Sequence, residues 1–368
     1  MKRRFHWVFA NSIQMFAGGE IWMLTAMRGL RQRGHTVSLI CRPGTELARR
    51  ARAEGFPVFN LQFRGDFDPI SIFRAAAILK KIRPDGLLTN MDKELRVVGT
   101  AARLVGVRVI LPRRGSDFPL KNHAVYRWSY TKLASGVLAN SEATKRTLLK
   151  NAPWLSPNSV KVIYNGIDPA PYVRPPQRNL RQEFGFAPED FVVGFVGQLD
   201  ERKGVFDLLK AFRQLSAKIP HLRLLLCGSG NLREKIVRFL RENHLLKKGV
   251  LTGFRDDIPE IMKMIDVLVL PSLWEGFGIV VIEAMAAAKP VVVTRASNLP
   301  EIVMDGVEGF WVEPRSPRQI AEALARLARE PALGKKMGEA GRRRVFRQFT
   351  LQHMVSALEA YFWELLAK

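Results

Sequence analysis

Residues 267–293 constrain the fold more than any other stretch of this chain. Val267-Leu268-Val269-Leu270 is an unbroken apolar run and reads as a buried strand. After a loop containing glycines, Ile279 to Ala288 is apolar at every position but one. That predicts a helix of nearly three turns, buried on all sides. The exception is Glu283. A carboxylate with no wet face needs donors, because burying it unpartnered costs more than a helix of this size returns. Hydroxyl groups of a ligand would serve.

Eight positions earlier, Glu275 stands in the loop that leads into this helix. Gly276 and Gly278 let backbone approach a ligand and turn N–H groups toward it, and the helix N-terminus adds partial positive charge. Two carboxylates that accept hydroxyls, with amides suited to phosphate or sugar oxygens, describe a nucleotide-sugar pocket. The plainer alternative is a helix cap at Glu275 and a structural buried glutamate at Glu283.

The pattern Glu275-Gly276-Phe277-Gly278-x4-Glu283, preceded by Pro271-Ser272, resembles the glutamate pair of the family 4 (group 1) retaining glycosyltransferases. The resemblance is strong from Val160 to Val312 and weaker before. It implies the GT-B architecture, an α/β fold of two Rossmann-like domains with parallel sheets facing a cleft. It also implies a metal-independent hexosyltransferase-like enzyme with a nucleotide-sugar as donor substrate and no cofactor. In that reading Glu275 holds sugar hydroxyls, Glu283 the ribose, and Gly276, Phe277, Gly278 and Ile279 line the donor. No nucleophilic carboxylate is evident, and front-face attack by the acceptor is what the resemblance implies.

The remaining chain agrees with an enzyme of this size. At 368 residues it is too long for one ordinary core. Cys41 and Cys227 imply no disulfide framework, and a reducing, cytoplasmic setting is expected. The charged head Met1-Lys2-Arg3-Arg4 precedes an apolar stretch broken at Asn11 and Ser12, so it reads as a first strand and not a signal peptide. No apolar run is long enough to span a membrane.

Strand and helix patterns alternate along the chain, as in parallel α/β folds. A first domain is expected over 1–168, a Pro-rich linker over 169–190, a second domain over 191–348, and a last helix over 349–368 that crosses back to the first domain. Gly18-Gly19 opens the first helix, and the resemblance places it near donor and acceptor; a simple turn is the alternative. Asp66-Phe67-Asp68 has the look of a metal-binding pair, but Asp68 before Pro69 is a helix N-cap with proline at the first helical position. No His/Cys cluster suggests a metal site. After the strand Val107 to Leu111, Arg114 and Asp117 stand where many family members carry a histidine beside the transferred sugar. Asp117 is the candidate there, to orient the acceptor or stabilise positive charge at the anomeric carbon, or else to cap the next helix.

The turn Asn165-Gly166-Ile167-Asp168 matches the family's crossover. Gly197-Gln198-Leu199-Asp200-Glu201-Arg202-Lys203-Gly204 is similar to the family's Gly-Arg-Leu-x-x-x-Lys-Gly, whose Arg and Lys hold the donor diphosphate. Lys203 matches. Gln198 cannot carry charge, and Arg202 is the nearest compensating cation. Gly228 opens a glycine-bearing loop, and Phe254-Arg255 falls where the family meets the nucleotide base, with Phe254 alternatively a core residue. Ser297-Asn298 replaces the family's Gly-Gly.

Net charge is +24 and lopsided. Up to Asp168 there are 28 Lys and Arg against 11 Asp and Glu, and beyond it 30 against 23. An excess concentrated in the first half suggests an anionic partner met by that half. An anionic saccharide or lipid-linked acceptor, such as a lipopolysaccharide core, presented at the inner face of the cell membrane would fit. Peripheral contact with the anionic membrane is expected around Arg42, Arg49, Arg50, Arg52 and Phe56, and from Arg113-Arg114 to Lys121. A GT-B epimerase or phosphorylase is the alternative within the fold. A nucleic-acid binder is the alternative outside it, disfavoured because the cations lack interleaved aromatics.

Overall fold

Each half of the chain builds its own doubly wound parallel sheet. The computed structural model describes residues 4–367, so Met1, Lys2, Arg3 and Lys368 lie outside it. One compact unit comprises the chain up to Gly166 and the segment from Leu351 onward; the other is Ile167–Thr350.

The first sheet holds β1 (His6–Asn11), β2 (Thr36–Cys41), β3 (Val58–Asn60), β4 (Gly86–Thr89), β5 (Val109–Arg114), β6 (Val137–Ala139) and β7 (Val160–Val162), in the order β3-β2-β1-β4-β5-β6-β7. All its pairings are parallel. Its faces follow the two-residue period of a strand. Trp7 and Phe9 of β1 join the core under helices Gly18–Gln32, Glu46–Ala53 and Leu351–Leu366. Val8 and Ala10 join the core under helix Pro69–Ile82 and the helical run that follows β4. The last helix is thus part of the first unit, and Gly86 makes room for it: a Cβ there would stand 2.2 Å from the Phe362 ring.

The second sheet holds β8 (Phe191–Val196), β9 (Leu222–Cys227), β10 (Gly249–Gly253), β11 (Val267–Leu270), β12 (Val291–Thr294) and β13 (Gly309–Val312), in the order β10-β9-β8-β11-β12-β13. In both sheets the order reverses once, between β1 and β4 and between β8 and β11. Loops leaving the carboxyl ends of such a strand pair diverge and leave a crevice, where open α/β sheets bind ligands.

The stretch 169–190 is not a free linker. It carries short helices Ala170–Val173 and Leu180–Glu183 and buries Tyr172, Leu180 and Phe186 in the second unit. Arg181 ties it down, pairing with Asp266 at 2.7 Å and donating to the Asp190 and Met264 carbonyls. Prolines hide this packing from a periodicity reading. Asp68 caps helix Pro69–Ile82 by accepting from the Ser71 N–H at 2.9 Å, and Asp66 pairs with Arg96 at 2.8 Å, so both carboxylates of the Asp-x-Asp pattern are in structural use. Among the described residues no helix is long and apolar enough to cross a membrane.

Candidate functional site

In the second unit the reversal point brings together loop 197–204, after β8, and loop 271–278, after β11. Gly204 joins them. Its φ of +63° is left-handed, and a Cβ would sit 2.0 Å from the Pro271 carbonyl oxygen, so no other residue closes this contact. The Leu273 N–H donates to the Arg202 carbonyl at 2.8 Å. Between these anchors the turn Glu201–Lys203 is capped by Asp200, which accepts the Lys203 N–H at 3.1 Å. The outcome is an ion pair across the crevice: Lys203 Nζ lies 2.6 Å from Glu275 Oε2, with both side chains largely buried.

Glu275 does not cap the helix. Helix Ile279–Ala286 begins after Gly278, whose φ is +81°, with no side-chain cap. Glu275 instead accepts from Ser272 Oγ at 3.0 Å and from the Gly276 N–H at 3.0 Å. The loop around it is stitched from the segment after β12. Thr294 donates to the Ser272 carbonyl (2.5 Å), Ser297 Oγ accepts the Glu275 N–H (3.2 Å), and Asn298 Nδ2 donates to the Phe277 carbonyl (2.8 Å). Ser297 adopts φ +49°, an uncommon backbone state for a residue with a side chain. Losing the Asn298 bond should loosen the loop more than losing that of Ser297, which gains conformational ease as glycine. Asn298→Ala is therefore expected to lower turnover about tenfold, a loss of ~1.4 kcal/mol, and Ser297→Gly by less. Steady-state kinetics of both variants check this; equal, wild-type values would remove the loop-holding role.

Helix Ile279–Ala286 is not buried on all sides. Val281, Ile282, Ala284, Met285 and Ala286 are covered, but Ile279, Val280 and Glu283 are only half-buried. The helix also stops two residues short of Ala288, which takes a left-handed turn at φ +56°. Glu283 thus has the open side that its apolar neighbours concealed. Its protein donor is one that sequence reasoning missed: Tyr172 OH donates to Oε1 at 2.7 Å. Desolvation raises the Glu283 carboxyl above its ordinary range, and the tyrosine bond opposes that rise. Desolvation and the adjacent carboxylate push the Tyr172 phenol well up, which keeps it a donor.

Other anticipated donor residues gather at the same sheet edge. Gly228 abuts Gly197 so closely that a Cβ on Gly228 would lie 1.8 Å from the Gly197 carbonyl oxygen. Arg202 leans on Gln198, donating to its side-chain oxygen at 3.0 Å, while pairing with Asp200 at 3.3 Å and stacking 5.3 Å from the Trp274 ring centroid. A cation therefore sits where Gln198 supplies none. Phe254 is 61% exposed, not a core residue. Arg255 is already held by Asp257 and by Glu183 at 3.5 Å.

Within the first unit, Gly18 starts helix Gly18–Gln32, and Gly19 sits against the Asn90 side chain. Asp117 lies half-buried in the loop after β5. The next helix, Ala124–Trp128, has His123 at its N-cap, so the capping alternative for Asp117 falls. Arg113 is buried beneath this edge, donating to Asn90 Oδ1 at 3.0 Å and Asn165 Oδ1 at 3.2 Å and lying 3.8 Å from the Trp22 ring centroid. Burial pulls its guanidinium down to about 9, with Glu20 opposing.

Most cations expected to meet an anionic partner are spent internally. Arg42 donates to the Ser12 and Phe63 carbonyls, Arg49 and Arg50 pair with Glu46, Arg52 bonds Asn60, and Arg114 pairs with Asp92. Phe56 is buried. Charge density in sequence did not reveal which charges have intramolecular partners.

Two doubly wound parallel units, each with a single reversal of strand order, form the GT-B fold. The Anabaena protein HepE, solved in complex with UDP and glucose, superposes with a TM-score of 0.86 at 21% identity, over 98% of this chain and 100% of that one. Family models agree: residues 16–171 match Glycosyltransferase Family 4 and residues 176–344 match Glycosyl transferases group 1. An uncharacterised glycosyltransferase of Methanocaldococcus jannaschii is 31% identical over 263 residues, 70% of this chain and 68% of its own. The chain belongs to the family 4, group 1 glycosyltransferases. It is also 28% identical over 213 residues to the N-acetyl-alpha-D-glucosaminyl L-malate synthase of Bacillus anthracis, 58% of this chain and 56% of that relative, so the match spans about half the relative's length.

Proposed function

We propose that the protein is a retaining glycosyltransferase that moves a sugar from a nucleotide-sugar to an anionic acceptor presented at a membrane. The observation that carries the transfer reaction is the Lys203–Glu275 pair at the second sheet's reversal point, with Glu283 on the helix that follows. Glu275 receives sugar hydroxyls, Glu283 the ribose hydroxyls, and the 276–279 backbone the sugar and phosphate oxygens. Lys203, with Arg202 beside it, meets the diphosphate. HepE, a structural neighbour, binds UDP and glucose, which favours a uridine nucleotide as donor.

In the reaction the bond from the anomeric carbon to the diphosphate oxygen breaks, and its electron pair leaves with the diphosphate. The acceptor hydroxyl forms the new bond on the same face and yields its proton to the departing phosphate oxygen. Charge grows on the phosphates as the sugar becomes oxocarbenium-like, so fixed cations stabilise the transition state more than the ground state. In the first unit, Asp117 is the group proposed to orient the acceptor or face the anomeric carbon.

The basic excess of the first half supports an anionic acceptor, such as a lipid-linked saccharide of the lipopolysaccharide-core kind. A thermal-shift panel of nucleotide-sugars, followed by product analysis with the donor that binds, tests the reading. A ligand at a hundred times its Kd adds about 2.7 kcal/mol of stability. Glycosylated product with retained anomeric configuration is expected; epimerised donor or sugar phosphate would replace this reading with the epimerase or phosphorylase one.

A further inference from the structure

The first unit carries a surface that no internal contact explains. Helix Pro69–Ile82 exposes Ile70, Phe73, Arg74, Ala77, Lys80 and Lys81, a single stripe at helical spacing, while Ser71, Ala75 and Leu79 face the core. Phe73 is 76% exposed. Next to the start of this helix, the Phe67 ring lies 5.8 Å from that of Trp128, at the end of helix Ala124–Trp128, which also exposes Val125. Arg96 binds the two segments together, pairing with Asp66 and lying 5.1 Å from the Tyr126 ring centroid. The aromatic pair therefore lies beside the start of the stripe.

The two segments that build this surface carry cations and no carboxylates of their own. From Pro69 to Pro84 and from Phe118 to Ser141 there is no Asp or Glu, but there are seven cations: Arg74, Lys80, Lys81, Arg83, Lys121, Arg127 and Lys132. All seven are exposed, and none is in an ion pair among the described residues. Five carboxylates border these stretches: Asp66 pairs with Arg96, Asp68 caps the helix, Asp85 accepts the His6 N–H at 2.8 Å, Asp117 is half-buried and Glu142 is exposed at the far end. Aromatic and aliphatic side chains bordered by unpaired cations on an amphipathic helix match the chemistry of an anionic bilayer interface. Near such a surface each Lys or Arg contributes on the order of 1 kcal/mol, so these seven suffice for reversible attachment.

We infer that this face docks the protein on anionic lipid, with Phe67, Ile70, Phe73 and Trp128 entering the headgroup layer and the seven cations meeting lipid phosphates. The inference rests on the reading of a membrane-presented acceptor and gives it a location different from the arginines singled out by charge density alone.

The test is sedimentation of the full chain with phosphatidylcholine vesicles, with and without phosphatidylglycerol, at low and high salt and without any donor. Wild type is expected on the anionic vesicles only, with binding lost at high salt. Phe73→Ser with Trp128→Ser should weaken that binding at least tenfold. Lys80→Glu with Lys81→Glu should do the same, whereas Arg318→Glu with Arg326→Glu, an equal charge change on the second unit, should leave it intact. Each variant's thermal shift with UDP reports on fold and donor site. Its retention beside lost vesicle binding supports the docking face. Equal losses from both charge reversals, binding to neutral vesicles alone, or release by single-stranded oligonucleotide through the same residues would overturn it. Absence of any nucleotide shift in wild type would count against the transferase reading and leave the docking result standing.

Discussion

Lys203→Ala is expected to lower turnover at least a hundredfold while weakening nucleotide binding less. The lysine ammonium has three N–H donors, so it can hold Glu275 and a diphosphate oxygen together. Charge on that oxygen rises as the bond to the sugar breaks, which places most of the lost interaction in the transition state. Removing one such donor from a catalytic site costs about 2.7–4 kcal/mol, two to three orders of magnitude in rate. Arg202 does not compensate fully, because its guanidinium is already shared with Asp200, Gln198 and the Trp274 ring. Lys203→Ala also leaves Glu275, 6% exposed, as a buried carboxylate without its cation. Glu275→Gln relieves that penalty. The double variant should therefore be impaired much less than the product of the two single losses, since removing one partner of a buried pair carries a cost that removing both does not. Steady-state kinetics on the four proteins decide it. A Lys203→Ala enzyme with wild-type kcat/KM would mean the diphosphate lies elsewhere.

What could be read before folding was what lies close together in the chain. Strand β11, its glycine loop and the helix after it occupy consecutive residues, so Glu275 and the start of the helix at Ile279 were visible in the pattern. Lys203 was visible through its match to the family's Gly-Arg-Leu-x-x-x-Lys-Gly pattern, since a lone lysine in a loop reads as a solvated one. Tyr172 was not, because 111 positions separate it from Glu283 and its surroundings are prolines that mimic a linker. The half-open side of the 279–286 helix was equally hidden: composition reports that a side chain is apolar, not whether anything covers it. The same limit explains the basic residues. Arg42, Arg50 and Arg113 look like a ligand-facing cluster in sequence, yet the fold uses them to satisfy carbonyls, a glutamate and two asparagines. Conversely, Phe67 and Trp128 are 61 positions apart and meet only in the folded unit. The absence of interleaved aromatics in the linear sequence therefore said little about the surface.

Glu283→Gln is expected to weaken nucleotide binding about a hundredfold with a smaller effect on kcat for bound donor. A carboxylate accepts from both ribose hydroxyls, and hydrogen bonds to a charged group contribute about 1.5–3 kcal/mol each. The amide keeps one acceptor oxygen and turns a donor toward the other hydroxyl. Tyr172 sets the geometry by occupying Oε1, which leaves the second oxygen and the remaining lone pair for ligand. Tyr172→Phe should consequently cost less, on the order of tenfold, through loss of carboxylate placement. Acidity supplies an independent check. Desolvation raises the Glu283 carboxyl above its unfolded value, so the folded state takes up its proton at a higher pH than the unfolded chain. The charged form is then a cost to stability that appears as pH climbs through the unfolded value and is complete above the raised folded one. Nucleotide binding runs the other way, because the ribose needs the charged form. Affinity for UDP should fall as pH drops through the raised value, sooner than an ordinary carboxylate near 4.3 would allow. In Glu283→Gln this step should vanish, leaving weak binding with a flatter pH profile. Calorimetric titrations of UDP across the acid range for wild type, Glu283→Gln and Tyr172→Phe measure all three effects. Wild-type affinity in the Gln variant, with an unchanged pH profile, would remove Glu283 from the nucleotide site.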